Sequence, residues 1–233
     1  MLTTRLARIG TAAILTVAPA MPGAFAAGLP LTPQAVNTEA LPEIGEDWLS
    51  ENPYRDAGEE VWQTAIDIGA SGYTQNCARC HGLGAISGGL APDLRFLEAE
   101  EYGDEWYIER FREGYTQGGV TKMPAFGELL GQEAAWAIRT YVETRPDEEA
   151  VAEHSDRLKA MRDQLAAWGA GDGDADPDAY KTELTEIAGQ IETLSGAPIA
   201  ESIAYRAARE IDGTPDSYTQ AAETLTVGLS AAN

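Results

Sequence analysis

Two cysteines, Cys77 and Cys80, stand three residues apart and are followed at once by His81, in the run Cys77-Ala78-Arg79-Cys80-His81. On one helical turn that spacing lets two thiols add to the two vinyl groups on one edge of a porphyrin while the imidazole turns under the iron. The run is therefore read as the attachment sequence of a covalent haem c. A C-x-x-C pair also serves as a redox disulfide or as half of a zinc site. Zinc asks for further Cys or His ligands, and the only other histidine is His154. A thiol oxidoreductase asks for a βαβ context, which the pattern does not offer. No second C-x-x-C-H is present, so one haem is expected.

The sixth iron ligand decides between electron transfer and the binding or activation of a small molecule. Beyond the first 26 residues the thioethers are Met123 and Met161, and His154 is the spare imidazole. Met123 lies between Gly118-Gly119 and Pro124, in a segment able to loop over the haem face opposite His81, and a residue before proline favours an extended turn. Met161 and His154 fall on a heptad face, where packed seam residues are the better reading. Met123 is taken as the ligand, a soft thioether that raises the reduction potential by favouring ferrous iron. Two rivals stand beside the electron carrier: a gas-binding or enzymatic haem protein with an open sixth site, and a haem-binding subunit of a larger complex.

These residues need a scaffold and an address. Arg5 and Arg8, the apolar run Ile9 to Ala20 and Ala24-Phe25-Ala26 have the pattern of a signal peptide over 1–26, too short to span a bilayer. Its removal leaves 14 basic against 38 acidic residues, a formal charge of −24. Such a surface repels nucleic acid and anionic lipid and favours partners with a basic patch; acidity that serves only solubility is an equal reading. Residues 27–57, rich in Pro, Gly and acidic groups, read as an irregular N-terminal arm, and 58–145 as the chemical domain. Pro146 and the acidic run after it mark a boundary. In 146–233, Val151, His154, Leu158, Met161, Leu165 and Trp168 share one helical face, and Tyr180, Leu184, Ile187, Ile191 and Leu194 another, which predicts an antiparallel helical hairpin closed by the loop Gly169 to Asp178. Further helical turns are expected over 199–211 and 217–229. The fold class is all-α.

The motif order over 58–145 resembles class I cytochromes c: a helix with Gly69, then Cys77 to His81, then Ala91-Pro92-Asp93-Leu94, then Met123-Pro124, then a terminal helix with Trp136 and Tyr141. The resemblance implies that Pro92 lines the proximal side of the haem and that a carbonyl there orients the His81 ring through its second nitrogen. More narrowly, Asn76 to Gly82, Ile86 to Arg95 and Glu133 to Arg139 are similar to the periplasmic cytochromes of the cytochrome c(L) and PedF types. That likeness implies a PQQ-dependent alcohol dehydrogenase as electron donor, an oxidase or another cytochrome as acceptor, and the periplasm as location. The appendage after 146 departs from the short forms of that group.

Weaker signals remain. Asp172, Asp174, Asp176, Asp178 and Glu183 have the spacing of a calcium loop, but Pro177 stands where a glycine is needed, so a solvated acidic turn is the preferred reading. Arg79 and Arg95 are candidates to pair with haem propionates. Trp106, Tyr107, Phe111 and Trp136 are candidates to wall the haem pocket, or else ordinary core.

Overall fold

The computed structural model describes residues 32–231; the predicted signal peptide, and the start of the arm, lie outside them. Helix α1 (Glu59–Asn76) buries Trp62, Ala65, Ile66, Gly69, Gly72, Tyr73 and Asn76, a stripe at alternating three- and four-residue spacing, with Glu59 and Glu60 in its first turn where the helix dipole favours acid. A single turn, α2 (Ala78–His81), follows, then a loop with short 3-10 turns at Leu83–Ala85 and Leu94–Phe96. Helix α3 (Glu101–Glu113) leads into a two-stranded ribbon, β1 (Tyr115–Gln117) and β2 (Val120–Met123), and then into α4 (Gly127–Glu143).

The ribbon is a feature that the all-α expectation did not contain. Gln117 pairs with Val120, so Gly118 and Gly119 form a two-residue turn, and both have positive φ (59° and 77°), as a type I′ hairpin turn requires. Helix α4 changes direction at Gly131 (φ 79°). The principal helix crossing of this half is α1 on α4. It is so close that a Cβ on Gly69 would lie 2.0 Å from the Ala137 carbonyl oxygen.

The C-terminal part is helical, as the heptads predict, with α5 (Glu148–Glu153), α6 (Ser155–Gly169), α7 (Pro177–Ala188), α8 (Ile203–Glu210) and α9 (Pro215–Ala231). Its core is continuous, from Val151, Leu158, Met161, Leu165 and Trp168 through Leu184, Ile187 and Ile191 to Ala207, Tyr218 and Leu225. The pairing is richer than a two-helix hairpin. Helix α6 packs mainly along α9, and α8 bridges α7 and α9, while α6 meets α7 through the Trp168–Tyr180 rings, 4.5 Å apart. The physical reason is stripe width. Two heptad faces alone would leave the flanks of α6 and α7 wet, and the small residues Ala204, Ala207, Ala221 and Ala222 let α8 and α9 close over them. His154 is half-buried at the break between α5 and α6.

The two halves meet through backbone groups as well as side chains. Glu201 N–H donates to Thr144 O at 2.8 Å and Ala99 N–H to Ser195 O at 2.9 Å. Trp62 of α1 meets Tyr205 of α8 edge to face, with centroids 5.9 Å apart.

Candidate haem site

The attachment residues are held by the end of α1. Cys77 N–H donates to Tyr73 O at 2.8 Å, and His81 N–H to Cys77 O at 3.0 Å, so the motif is one further helical turn. Asn76, just before it, is buried and clamps the N-terminal arm: Gln34 N–H donates to its Oδ1 at 2.7 Å and its Nδ2 donates to Gln34 O at 3.1 Å. Gly82 ends the turn with φ 85°, and a Cβ there would lie 1.8 Å from Ile86 O. Tyr73 Oη donates to Gly82 O at 2.9 Å.

Cys77 and Cys80 stand three residues apart on one face of this turn, where both sulfurs can reach one edge of a porphyrin. His81 Nδ1 lies 2.9 Å from the Pro92 carbonyl oxygen. A carbonyl only accepts, so Nδ1 carries the proton and Nε2 is left as the lone-pair nitrogen, the form in which imidazole binds a metal. The structure thus brings Pro92 to His81 from eleven residues away.

Met123 is the last residue of β2, half-buried, with Pro124 after it. Its register partner is Tyr115. Gly114 (φ 71°) makes this possible, because a Cβ there would lie 2.4 Å from Met123 O. Met161 lies elsewhere, fully buried in the C-terminal core, in keeping with the seam reading.

The residues present suit haem c. Beside the two thiols and the imidazole, the segments that follow the motif and surround Met123 carry large apolar side chains that are more than half exposed: Leu83, Leu90, Phe96, Val120 and Leu129. A flat apolar group of porphyrin size is what such side chains can cover.

The weaker candidates separate. Tyr107 and Phe111 are buried, with ring centroids 5.9 Å apart. Trp106 is half-buried beneath Arg110, whose guanidinium is 4.2 Å from the ring centroid. Trp136 is fully buried, on the face of α4 shared with Gln132, Thr140 and Glu143. That face exchanges hydrogen bonds with the arm: Gln132 Nε2 donates to Asp47 O at 3.1 Å, and Asn52 Nδ2 donates to Thr140 Oγ1 at 3.0 Å and Glu143 Oε1 at 3.2 Å. Arg95 sits in the 3-10 turn Leu94–Phe96. It is 7% exposed and is committed to Asp93, donating from Nε to Oδ1 at 3.0 Å and from Nη2 to Oδ2 at 2.8 Å. In the acidic loop, Asp176 caps α7 by accepting from Ala179 N–H, and Glu183 pairs with Arg157, as a solvated turn would have it.

Among known proteins, the family model described as cytochrome c oxidase, cbb3-type, subunit III matches residues 64–142. Cytochrome c550 of Pseudomonas aeruginosa is 50% identical over 114 residues, which is 49% of this chain and 78% of that one. The chain belongs to the class I c-type cytochromes. The cytochrome accordingly carries covalently bound haem c; its single attachment motif makes it mono-haem, and its kinship with cytochrome c550 makes it an electron carrier. Other similarities are partial: 36% identity over 91 residues to quinohemoprotein alcohol dehydrogenase ADH IIB of Pseudomonas putida, 38% of this chain and 12% of that one. A third is 28% identity over 124 residues to the cbb3-type cytochrome c oxidase subunit FixP of Rhizobium meliloti, covering 47% and 38% of the two chains. No solved structure matches significantly. No helix among the described residues is long and apolar enough to cross a membrane.

Proposed function

We propose that this cytochrome is exported to the periplasm, takes single electrons from a PQQ-dependent alcohol dehydrogenase and delivers them to an oxidase or another cytochrome. In this reading Cys77 and Cys80 would hold the haem by thioether bonds, and His81 and Met123 would ligate its iron. The observation that carries it is the Nδ1 hydrogen bond of His81 to Pro92 O at 2.9 Å, beside the two thiols, which presents Nε2 to a metal. The likeness to a stretch of a quinohemoprotein alcohol dehydrogenase supports the donor class.

The haem supplies a one-electron change at iron when bound. The chain's own residues do the rest. His81 is oriented by Pro92 and keeps its tautomer through both redox states. Met123 is placed by a short ribbon anchored at Gly114, so retaining it needs little rearrangement. A formal charge of −24 over the exported chain favours a donor with a basic docking face, and its association slows as salt rises.

The test is the optical spectrum of the secreted protein, oxidised and reduced. A weak near-infrared band from methionine sulfur on ferric haem, with a reduced spectrum unmoved by carbon monoxide, is the expected result. Ready carbon monoxide binding without that band would remove Met123 from the iron and turn the protein into a gas-binding haem protein. Reduction by a purified PQQ alcohol dehydrogenase, faster at low salt, is expected as well; no reduction at any salt would refute the donor.

A further inference from the structure

The loop between the attachment motif and Pro92 contains a small polar lock. Asp93 accepts four hydrogen bonds. Its Oδ1 takes Arg95 N–H at 3.0 Å and Arg95 Nε at 3.0 Å, and its Oδ2 takes Arg95 Nη2 at 2.8 Å and Ser87 N–H at 3.3 Å. Ser87 Oγ in turn donates to Ala91 O and accepts from Gly89 N–H at 3.0 Å. Residues 87, 89, 91, 93 and 95 are thus cross-tied around Pro92, whose carbonyl reaches His81. Arg95 Nη1 also stands 3.7 Å from Glu148 Oε2 of α5, but Glu148 is half exposed, and so loose a pair adds little. The two-pronged Arg95–Asp93 contact, with side chains 8% and 17% exposed respectively, is the rigid part.

We propose that Asp93 and Arg95, with Ser87, are positioning residues for electron transfer: they hold the Pro92 carbonyl on His81 Nδ1 and so set the donor strength of the imidazole. This rests on the reading of His81 as an iron ligand. A hydrogen bond from Nδ1–H makes the ring a more electron-rich ligand, which favours ferric iron. Loosening the lock lengthens that bond and shifts the equilibrium towards ferrous iron. Burial alone would raise the Asp93 carboxyl, yet the hydrogen bonds from Arg95 and Ser87 outweigh it and hold the group below its ordinary range. Asp93 is therefore an anion facing Arg95 at neutral pH.

The experiment uses the full-length holo-cytochrome and its reduction potential, with Asp93→Asn, Arg95→Leu, Arg95→Lys and Ser87→Ala, and with Leu184→Ala in the remote C-terminal core as a control for lost stability. Asp93→Asn and Arg95→Leu are expected to favour ferrous iron several-fold, up to tenfold, equivalent to about 59 mV for one electron. The methionine band is retained throughout. Arg95→Lys recovers part of the shift, since it keeps the charge without the fork. The His81 Nδ1 proton exchanges with solvent faster in the same two variants. Potentials in Asp93→Asn and Arg95→Leu that move no further than in Leu184→Ala would overturn the proposal. Should Asp93→Asn fail to take up haem, Ser87→Ala decides, because it frees Ala91 O and leaves the pair intact: a smaller upward shift supports the lock and no shift refutes it. If the wild-type spectrum itself lacks histidine–methionine character, the ligand reading fails, a result separate from either of these.

Discussion

Replacing Gly69 with alanine is expected to destabilise the cytochrome although alanine is the better helix former. In an open helix interior the exchange would gain about 0.5–1 kcal/mol. Here the new Cβ would lie 2.0 Å from Ala137 O, 2.5 Å from Ala137 C and 2.9 Å from Tyr141 Cβ. Two of those three atoms are backbone, so no side chain can rotate away, and α1 must move off α4 by more than an ångström. That motion loosens the Tyr73–Tyr141 contact, now 5.4 Å between centroids. Overpacking of this kind costs about 1–3 kcal/mol, and a crossing flanked by backbone belongs at the upper end. For a unit of this size each kcal/mol moves Tm by about 2–4 °C. The expected fall is therefore about 5–10 °C, read by circular dichroism of the holo-protein. A Tm equal to or above the wild type would show that the helices are not in contact at Gly69 and would refute the packing argument.

Met123→Ala is expected to abolish the methionine band and let carbon monoxide bind the reduced protein, with the far-ultraviolet dichroism unchanged; a retained band would place another ligand on the iron. Glu210→Gln should raise Tm at neutral pH. Burial raises the Glu210 carboxyl, the one bond it accepts from Thr224 (2.8 Å) notwithstanding, and its second oxygen is buried without a partner. A raised folded pKa means stability lost as pH rises through the window above the ordinary glutamate value, so the advantage of the variant vanishes when melting is repeated near pH 4. Asp93 has the opposite sign: its lowered pKa gives stability that is full above the ordinary aspartate range and lost as pH falls below it, so Asp93→Asn should flatten the acid limb of a stability profile. Arg139→Met should cost about 3–5 kcal/mol in chemical denaturation, because it leaves Asp104 fully buried with less counter-charge.

How much of this was legible in the sequence differs by region. The motif at 77–81 was legible because its chemistry is local: three side chains on one turn need no distant residue to be recognised. The heptad stripes of 151–168 and 180–187 were legible as helical faces for the same reason, but α7 ends at Ala188, so Ile191 and Leu194 lie beyond it, the first stripe is broken between α5 and α6, and which face meets which was not legible. Partner choice depends on the small residues of α8 and α9: Ala204, Ala207 and Ala208 repeat at helical spacing, which marks a buried face but not what covers it. The ribbon before Met123 was hidden by its shortness: three and four residues, nearly all exposed, carry no alternation to read. Only Gly118-Gly119 signalled a turn. The Asp93 partner of Arg95, two residues away, is invisible to any argument from charge count.

The N-terminal arm was read as irregular, and in backbone terms it is, yet it is not loosely attached. Arg55 Nη2 reaches Asp104 Oδ2 at 2.9 Å and Glu143 Oε2 at 2.8 Å, while Arg139 Nε reaches Asp104 Oδ1 at 2.8 Å. Asn52 adds bonds to Asp104, Thr140 and Glu143. Two cations and two anions, three of them almost wholly buried, make a neutral cluster between arm, α3 and α4. Replacing such a cluster with apolar residues is often neutral or stabilising, so its value lies less in net stability than in register. A segment without secondary structure has no ladder to fix its position. Directional charge pairs supply that position, because a slip of one residue would bury Arg55 away from both carboxylates. The same cluster leaves Glu143 O and Thr144 O at the end of α4 as acceptors for Ser195 and Glu201 of the C-terminal half. The end of α4 is thus where arm, haem-binding helices and C-terminal helices are fixed to one another, at the opposite end of α1 from His81. An 18-residue α1 spans about 27 Å at 1.5 Å per residue, which sets this junction well away from His81, although Arg95 with Glu148 and Ala99 with Ser195 also tie the loop after Pro92 to the C-terminal half.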